Sequence, residues 1–159
     1  MTQTVNEQQL ARRRVIKAPA SAIFTVLADP SRHQDTTPED WVRDAVTPEP
    51  ITGVDQVFVI NMFHINAGGH YVMHNRVAVF EQDRAIAWDP GQPDQDGNPQ
   101  VGGWRWRYDL EPRDDGTEVT LTYDWSACLP PLRDAIRFPP FGPEFLDASL
   151  AALERAVTC

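Results

Sequence analysis

Residues 104–125, WRWRYDLEPRDDGTEVTLTYDW, contain two alternating segments on either side of a short polar turn. In the first segment every second residue is apolar or aromatic: Trp104, Trp106, Tyr108 and Leu110. The second segment follows the same rule with Val119, Leu121, Tyr123 and Trp125. The DDG at 114–116 is a hairpin signal. Because side chains alternate between the two faces of a strand, this stretch predicts an antiparallel sheet with one buried and one solvent-exposed face.

Outward from this hairpin, the sequence keeps a period of two through much of its middle. The pattern predicts further strands at 13–17, 56–64, 70–80 and 85–89. Residues 90–103, PGQPDQDGNPQVGG, are rich in proline, glycine and acids and are interpreted as a loop without core residues.

Helical spacing appears near both ends of the chain. Pro19 precedes an apolar stripe at 20–29, which Asp29-Pro30 is expected to stop. A cap followed by a proline predicts a second, short helix that begins at Thr37. The strongest pattern lies at 144–157, where the apolar residues recur at spacings of four, three and four: Leu146, Leu150, Leu153 and Val157.

Composition limits the possible partners. The 159 residues carry 14 basic and 23 acidic side chains, a net charge of −9, which disfavours nucleic acids and anionic membrane surfaces. No apolar run approaches the roughly 20 residues that a bilayer requires. Residues 1–11 are interpreted as a flexible polar lead-in without signal-peptide features and 12–159 as a single domain, which predicts a cytoplasmic protein.

Two further stretches carry a resemblance to a known superfamily. VIKAPASAIFTVLADPSRH at 15–33 closely resembles the opening of the START-like, Bet v 1-like proteins called SRPBCC, in their polyketide cyclase/dehydrase branch. AVFEQDRAIAWDPG at 78–91 is similar to another part of that family, and the resemblance spans 13–157. Members of the family carry a tryptophan soon after the first motif, whereas here HQDTT at 33–37 precedes Trp41, so the shape of the cavity mouth stays open.

The resemblance implies an α+β helix-grip fold, in which a curved antiparallel sheet wraps around the long C-terminal helix and leaves an internal cavity. Members include lipid and sterol carriers as well as polyketide cyclases. The implied function is therefore binding of a hydrophobic small molecule of lipid or polyketide/aromatic type. The alternative is a cyclase, aromatase or dehydratase that acts by acid–base chemistry.

Alternation predicts which side chains line that cavity. On the second strand the inner set is Phe58, Ile60, Met62 and His64, and on the third it is Tyr71, Met73, Asn75, Val77 and Val79. Ile86 continues the lining on the next strand. The ligand-binding candidates are Phe58, Ile60, Met62, Tyr71, Met73, Asn75, Trp88, Trp104, Trp106, Tyr108, Leu146 and Leu150. Asn75 could orient a ligand or pair with the backbone.

The enzymatic alternative needs a base and a donor at one substrate. His64 suits the base and Tyr123 the donor to an enolate oxygen, although each residue taken alone fits a structural role better: a solvated or capping His64 and a core Tyr123. His70 and His74 share a strand face but lie some 13 Å apart, too far to hold one ion. We therefore expect no metal and no cofactor. Neither a disulfide framework nor a nucleotide motif is present, and the chain is expected to be a monomer or a homodimer.

Overall fold

The computed structural model describes residues 9–37, 41–64, 68–93, 95–96, 99–128 and 141–158. Its elements are, in chain order, β1 (Gln9–Ile16), α1 (Ala20–Leu27), a 3₁₀ helix (Pro30–Thr36), β2 (Val42–Ala45), β3 (Val57–His64), β4 (Gly69–Glu81), β5 (Ala85–Pro93), β6 (Pro99–Val101), β7 (Arg105–Arg113), β8 (Gly116–Asp124) and α2 (Pro143–Thr158).

The strands form one antiparallel sheet in the order β1-β8-β7-β5-β4-β3-β2, and β6 adds to β5 beside this path. The long helix α2 lies against the inner face of the sheet through leucines that are at most 1% exposed: Leu146, Leu150 and Leu153. This is the predicted α+β helix-grip architecture, and its prediction is confirmed.

α1 and the sheet enclose the most tightly buried part of the core. Several aliphatic side chains there have no exposed surface at all: Ile16, Ile23, Leu27, Ile86, Val119 and Leu121. Phe24 of α1 meets Phe80 of β4 edge to face, with 5.3 Å between the ring centroids. Their burial provides the hydrophobic contribution that holds α1 on the sheet.

The N-terminal edge strand also holds α2 through charges. Arg12 and Arg14 lie on the inner face of β1, since they pair across the sheet with Leu121 and Val119. Arg12 approaches Asp147 at 3.6 Å, and Arg14 donates to Glu154 at 2.6 Å. Inward-pointing charges on an edge strand also discourage pairing with another chain.

Two element boundaries differ from the sequence prediction near the N-terminus. β1 begins at Gln9, so residues 9–11 of the predicted lead-in belong to the strand, while residues 1–8 lie outside the described part. A 3₁₀ helix that the sequence analysis did not predict spans Pro30–Thr36 and ends at Thr37. Asp29 starts it, because its carboxylate accepts from the Ser31 N–H at 3.0 Å. Residues 38–40 of the predicted helix lie outside the described residues.

The predicted loop at 90–103 is partly sheet. β5 continues to Pro93, and β6 pairs back on it through Gly91 and Val101. Pro90 and Gly91 are buried, so the expectation that this stretch lacks core residues was wrong. Proline tolerates this position because it needs no N–H partner, while its carbonyl accepts from the Gly102 N–H at 3.2 Å.

A β-bulge changes the facing predicted for the end of β4. Val77 pairs with Trp88 but Val79 pairs with Ala87, so Ala78 is an extra residue. Beyond the bulge Phe80, not Val79, turns toward the core. An inserted residue reverses the alternation after it, which explains the error.

Candidate functional site

The inner face of the sheet changes character from one end to the other. Near α1 its side chains are fully buried, but where β3 and β4 approach their connecting turn they are only half-buried: Met62, His64, Tyr71 and Met73. Trp88 and Trp106 are half-buried as well, although both face the interior side of the sheet. The half-buried set marks where a small molecule could reach the interior.

The start of α2 lies against a group of rings that we call the aromatic cluster: Trp41, His64, Trp106, Tyr123, Phe141 and Phe145. Phe141 and Phe145 stack with centroids 4.5 Å apart. Trp106 lies 4.5 Å from Tyr123 and 5.6 Å from Phe141. Such spacings are favourable for aromatic pairs and present flat apolar surfaces to one another.

Trp41 closes the other side of the aromatic cluster. Its ring centroid lies 5.3 Å from that of His64 and 5.4 Å from that of Phe145. Its indole N–H donates to the Tyr71 hydroxyl at 2.6 Å. Burial raises the pKa of Tyr71, and the bond from Trp41 only partly offsets this, so Tyr71 is a neutral phenol at physiological pH.

A second group of rings surrounds His33 deeper in the interior. The imidazole stacks on Trp88 with 4.9 Å between centroids and meets Phe58 edge to face at 5.3 Å. Its Nε2 lies 2.7 Å from the Leu27 carbonyl oxygen, to which a neutral ring donates. Burial lowers the pKa of His33 and outweighs the opposing effects of that bond and of Asp29. His33 is therefore a neutral structural residue.

Asn75 is buried beside this group, and its amide is committed to the backbone. Nδ2 donates to the Met73 carbonyl at 3.3 Å and to the Phe58 carbonyl at 3.4 Å. Both distances are long for N–H···O bonds. Of the two roles left open for Asn75, backbone pairing is the one that the structure shows.

Tyr108 and Tyr123 are deeply buried on this face, 5% and 3% exposed. Burial raises the pKa of both hydroxyls, and the thiol of Cys128 adds to the effect on Tyr123. No hydrogen bond joins either hydroxyl to a described residue, and neither oxygen is among the fully buried polar atoms that lack a partner.

All twelve predicted ligand-binding residues lie on the inner side of the sheet or on α2. The buried ones are Phe58, Ile60, Asn75, Tyr108, Leu146 and Leu150. The half-buried ones are Met62, Tyr71, Met73, Trp88, Trp104 and Trp106. Register supports this facing, because Phe58 pairs with Asn75, Ile60 with Met73, and Met62 with Tyr71. Their role in binding stays a prediction.

The two predicted catalytic residues are not neighbours. β4, β5 and β7 separate His64 on β3 from Tyr123 on β8. Adjacent strands lie about 4.8 Å apart, so the two strands are roughly 19 Å apart along the sheet. Both side chains nevertheless belong to the aromatic cluster, where ring contacts link them in series: His64 to Trp41, Trp41 to Phe141, and Phe141 to Tyr123.

Sequence reasoning did not propose Trp41, His33, Phe141 or Phe145 as site residues. The spacing of four between Phe141 and Phe145, at the start of α2, was the available signal for that pair. Trp41 and His33 stand in irregular or 3₁₀ segments, where no periodicity indicates a facing.

Other chemistry finds little support in the described part of the chain. No group of three or more metal-ligating side chains occurs among the residues described. A depression of about 190 Å³ lies on the outer face of the sheet, lined in part by Glu81, Arg84, Arg107 and Asp109. Arg107 is already paired with Asp109 at 2.9 Å, and charged walls do not suit an apolar ligand. Neither described helix is long and apolar enough to cross a bilayer.

The chain is similar to solved structures of low sequence identity. Protein Ms6760 from Mycobacterium smegmatis has a TM-score of 0.69 and 16% identity, covering 99% of this chain and 95% of that chain. Major latex-like protein 151 from Panax ginseng has a TM-score of 0.65 and 14% identity, with 95% and 97% covered. The Aha1 dimer from Colwellia psychrerythraea has a TM-score of 0.59 and 18% identity, with 94% and 95% covered.

No protein-family model and no curated protein matches the chain. At these identities the structural similarity shows a shared fold. It agrees with the helix-grip fold of the sheet and α2, and it names no ligand or reaction for this chain.

Proposed function

We propose that this protein binds an apolar, aromatic small molecule between the inner face of its sheet and α2, beside the aromatic cluster. The supporting observation is the contrast along that face. Aliphatic side chains near α1 are fully buried, but Met62, Met73 and Trp106 remain half-buried on the same face. Apolar side chains lining a concave site beside a few polar groups are typical of small-molecule sites.

The geometry favours binding over catalysis. Acid–base cyclisation would need His64 and Tyr123 in contact with one substrate, whereas the rings of Trp41 and Phe141 lie between these two side chains. Burial raises the pKa of Tyr123, which makes its hydroxyl a weaker acid for proton transfer to an enolate oxygen, although it can still donate a hydrogen bond. The cyclase or dehydratase alternative therefore ranks second.

The cellular setting and assembly follow only from the sequence. A cytoplasmic location and a monomer or homodimer remain predictions, and one structural neighbour is described as a dimer. The single domain at 12–159 is likewise a prediction.

A neutral fluorescent probe tests the binding proposal. N-phenyl-1-naphthylamine gains fluorescence when it enters an apolar site, so its titration gives a dissociation constant. Val72 and Met73 are adjacent on β4, but Met73 faces inward and Val72 is 37% exposed on the outer face. We expect Met73→Glu to weaken probe binding by at least about tenfold, because a bound probe would take water away from a carboxylate on this half-buried face. We expect Val72→Glu to leave binding unchanged.

Melting temperatures of both variants show whether the fold is intact. Absence of saturable probe binding to the wild type would contradict the proposal. Equal losses in folded Met73→Glu and Val72→Glu would also contradict it, because binding would then not occur at the inner face.

A further inference from the structure

Tyr108 and Tyr123 stand close together on the inner face. Trp106 pairs with Tyr123 across β7 and β8, and Tyr108 pairs with Leu121. The two tyrosines are therefore diagonal neighbours on adjacent strands, a relation that places their backbones about 7–8 Å apart. Side chains at this spacing can contact one small molecule together.

Their surroundings are rings and aliphatic groups, with the Cys128 thiol near Tyr123. Tyr108 lies 6.0 Å from the Trp88 centroid, and Tyr123 lies 4.9 Å from that of Phe141. Within the described residues neither hydroxyl has a hydrogen-bond partner. The side chains are more than nine-tenths buried, but their oxygens are not among the fully buried polar atoms without a partner, so the hydroxyls stay open to a bound molecule. The third tyrosine of the chain, Tyr71, differs because its oxygen accepts from Trp41.

The charge around the pair restricts what it could bind. The arginines on the inner face of β1, Arg12 and Arg14, are already paired with Asp147 and Glu154 of α2. A ligand carboxylate between Tyr108 and Tyr123 would therefore be buried without a cation, which is costly. A neutral carbonyl oxygen avoids that cost and accepts a phenol hydrogen bond.

We propose that Tyr108 and Tyr123 are specificity-determining residues that donate hydrogen bonds to the carbonyl oxygen of a neutral aromatic ligand and select it over a carboxylate. This inference rests on the binding function proposed above. The raised pKa of both hydroxyls is consistent with it, since the phenols keep their protons at neutral pH.

Three probes that differ in one group test the inference by displacement of N-phenyl-1-naphthylamine. They are 2-acetylnaphthalene, 2-ethylnaphthalene, which lacks the oxygen, and 2-naphthoate, which is anionic. We expect the wild type to bind the ketone at least about fivefold more tightly than the hydrocarbon, a difference of about 1 kcal/mol. We expect it to bind 2-naphthoate more weakly than the ketone.

Phenylalanine variants separate the hydroxyls from the rings. Tyr108→Phe with Tyr123→Phe should abolish the preference for the ketone and leave binding of 2-ethylnaphthalene within twofold. The melting temperature of the double variant should be unchanged or higher, because neither hydroxyl is hydrogen-bonded to a residue in the described part of the chain. Tyr71→Phe is the control: it removes a hydroxyl bonded to Trp41 and should keep most of the preference.

The outcomes distinguish the two proposals. If no probe binds, the binding function itself is wrong. If the hydrocarbon binds but the wild type shows no preference for the ketone, only the role of the tyrosines is overturned, and the hydroxyls then contact water alone. A preference for the ketone that persists in the double variant would also overturn the role of the tyrosines. Tighter binding of 2-naphthoate than of the ketone by the wild type would overturn it as well.

Discussion

Replacing Leu150 with alanine tests how firmly the sheet holds α2. Leu150 is 1% exposed and belongs to the same core cluster as Leu146 and Leu121. The substitution removes three carbons, which is about 2.4 kcal/mol of transfer free energy at about 0.8 kcal/mol each. A cavity that does not collapse adds about 1–2 kcal/mol, so the free energy of unfolding should fall by about 3–4 kcal/mol.

Chemical denaturation measures this change directly. For a chain of this length the melting temperature should fall by roughly 6–16 °C, at about 2–4 °C per kcal/mol. Arg155→Ala is the matched control on the same helix, because Arg155 is exposed in the last turn and should change stability by less than about 0.5 kcal/mol.

A loss below about 1 kcal/mol in Leu150→Ala would refute the reasoning, since a leucine buried in a packed interface cannot be removed so cheaply. Similar losses in Leu150→Ala and Arg155→Ala would refute it as well, because the effect would then reflect the helix rather than its buried face.

Two further predictions concern stability. Gly103→Ala should destabilise by more than about 1 kcal/mol in a denaturation experiment, because Gly103 has φ +103° and a Cβ there would lie 2.6 Å from the backbone of Ala127 and Cys128. A Cβ at Gly53 would have no neighbour within 4 Å, so Gly53→Ala should leave stability unchanged. Equal losses of stability in Gly103→Ala and Gly53→Ala would contradict the close approach of Gly103 to Ala127 and Cys128. The His33 pKa lies below its ordinary 6.5 in the folded chain, so the unfolded chain takes up the proton first and stability should fall as pH drops below about 6.5. His33→Phe should lose less stability over that pH range than the wild type. An identical pH dependence of stability in the two proteins would contradict the lowered pKa of His33.

Much of the inner face could be predicted because facing on a regular strand depends only on the period of two. Tyr108 and Tyr123 were placed in this way, and both are buried on the face expected. The leucine stripe of α2 was equally readable, since Leu146 and Leu150 follow helical spacing without interruption.

The remaining elements depend on partners distant in sequence. β2 and β6, with four and three residues, exist because β3 and β5 supply their hydrogen bonds, and neither alternates for long enough to be recognised. The bulge at Ala78 arises from the pairing of β4 with β5, which the sequence pattern does not show. Alternation alone therefore predicted an inward-facing Val79, whereas Phe80 faces inward.

The candidate site likewise combines residues that a local sequence pattern predicts with contacts between residues distant in sequence. Its strand residues were predictable, but the bond between Trp41 and Tyr71 joins residues thirty positions apart. His33 reaches Trp88 only because the 3₁₀ helix packs beneath the sheet. Contacts of this kind depend on tertiary packing and leave no periodic signal.

The two internal methionines offer the most direct test of the central claim, that a ligand binds at the inner face beside α2. Met62 and Met73 lie on β3 and β4, half-buried and facing inward. In methyl-¹³C methionine spectra, both resonances should shift on titration with N-phenyl-1-naphthylamine. The dissociation constant obtained from these shifts should equal the one that fluorescence gives. Saturable probe binding that leaves both resonances unmoved would place the ligand elsewhere and contradict the account.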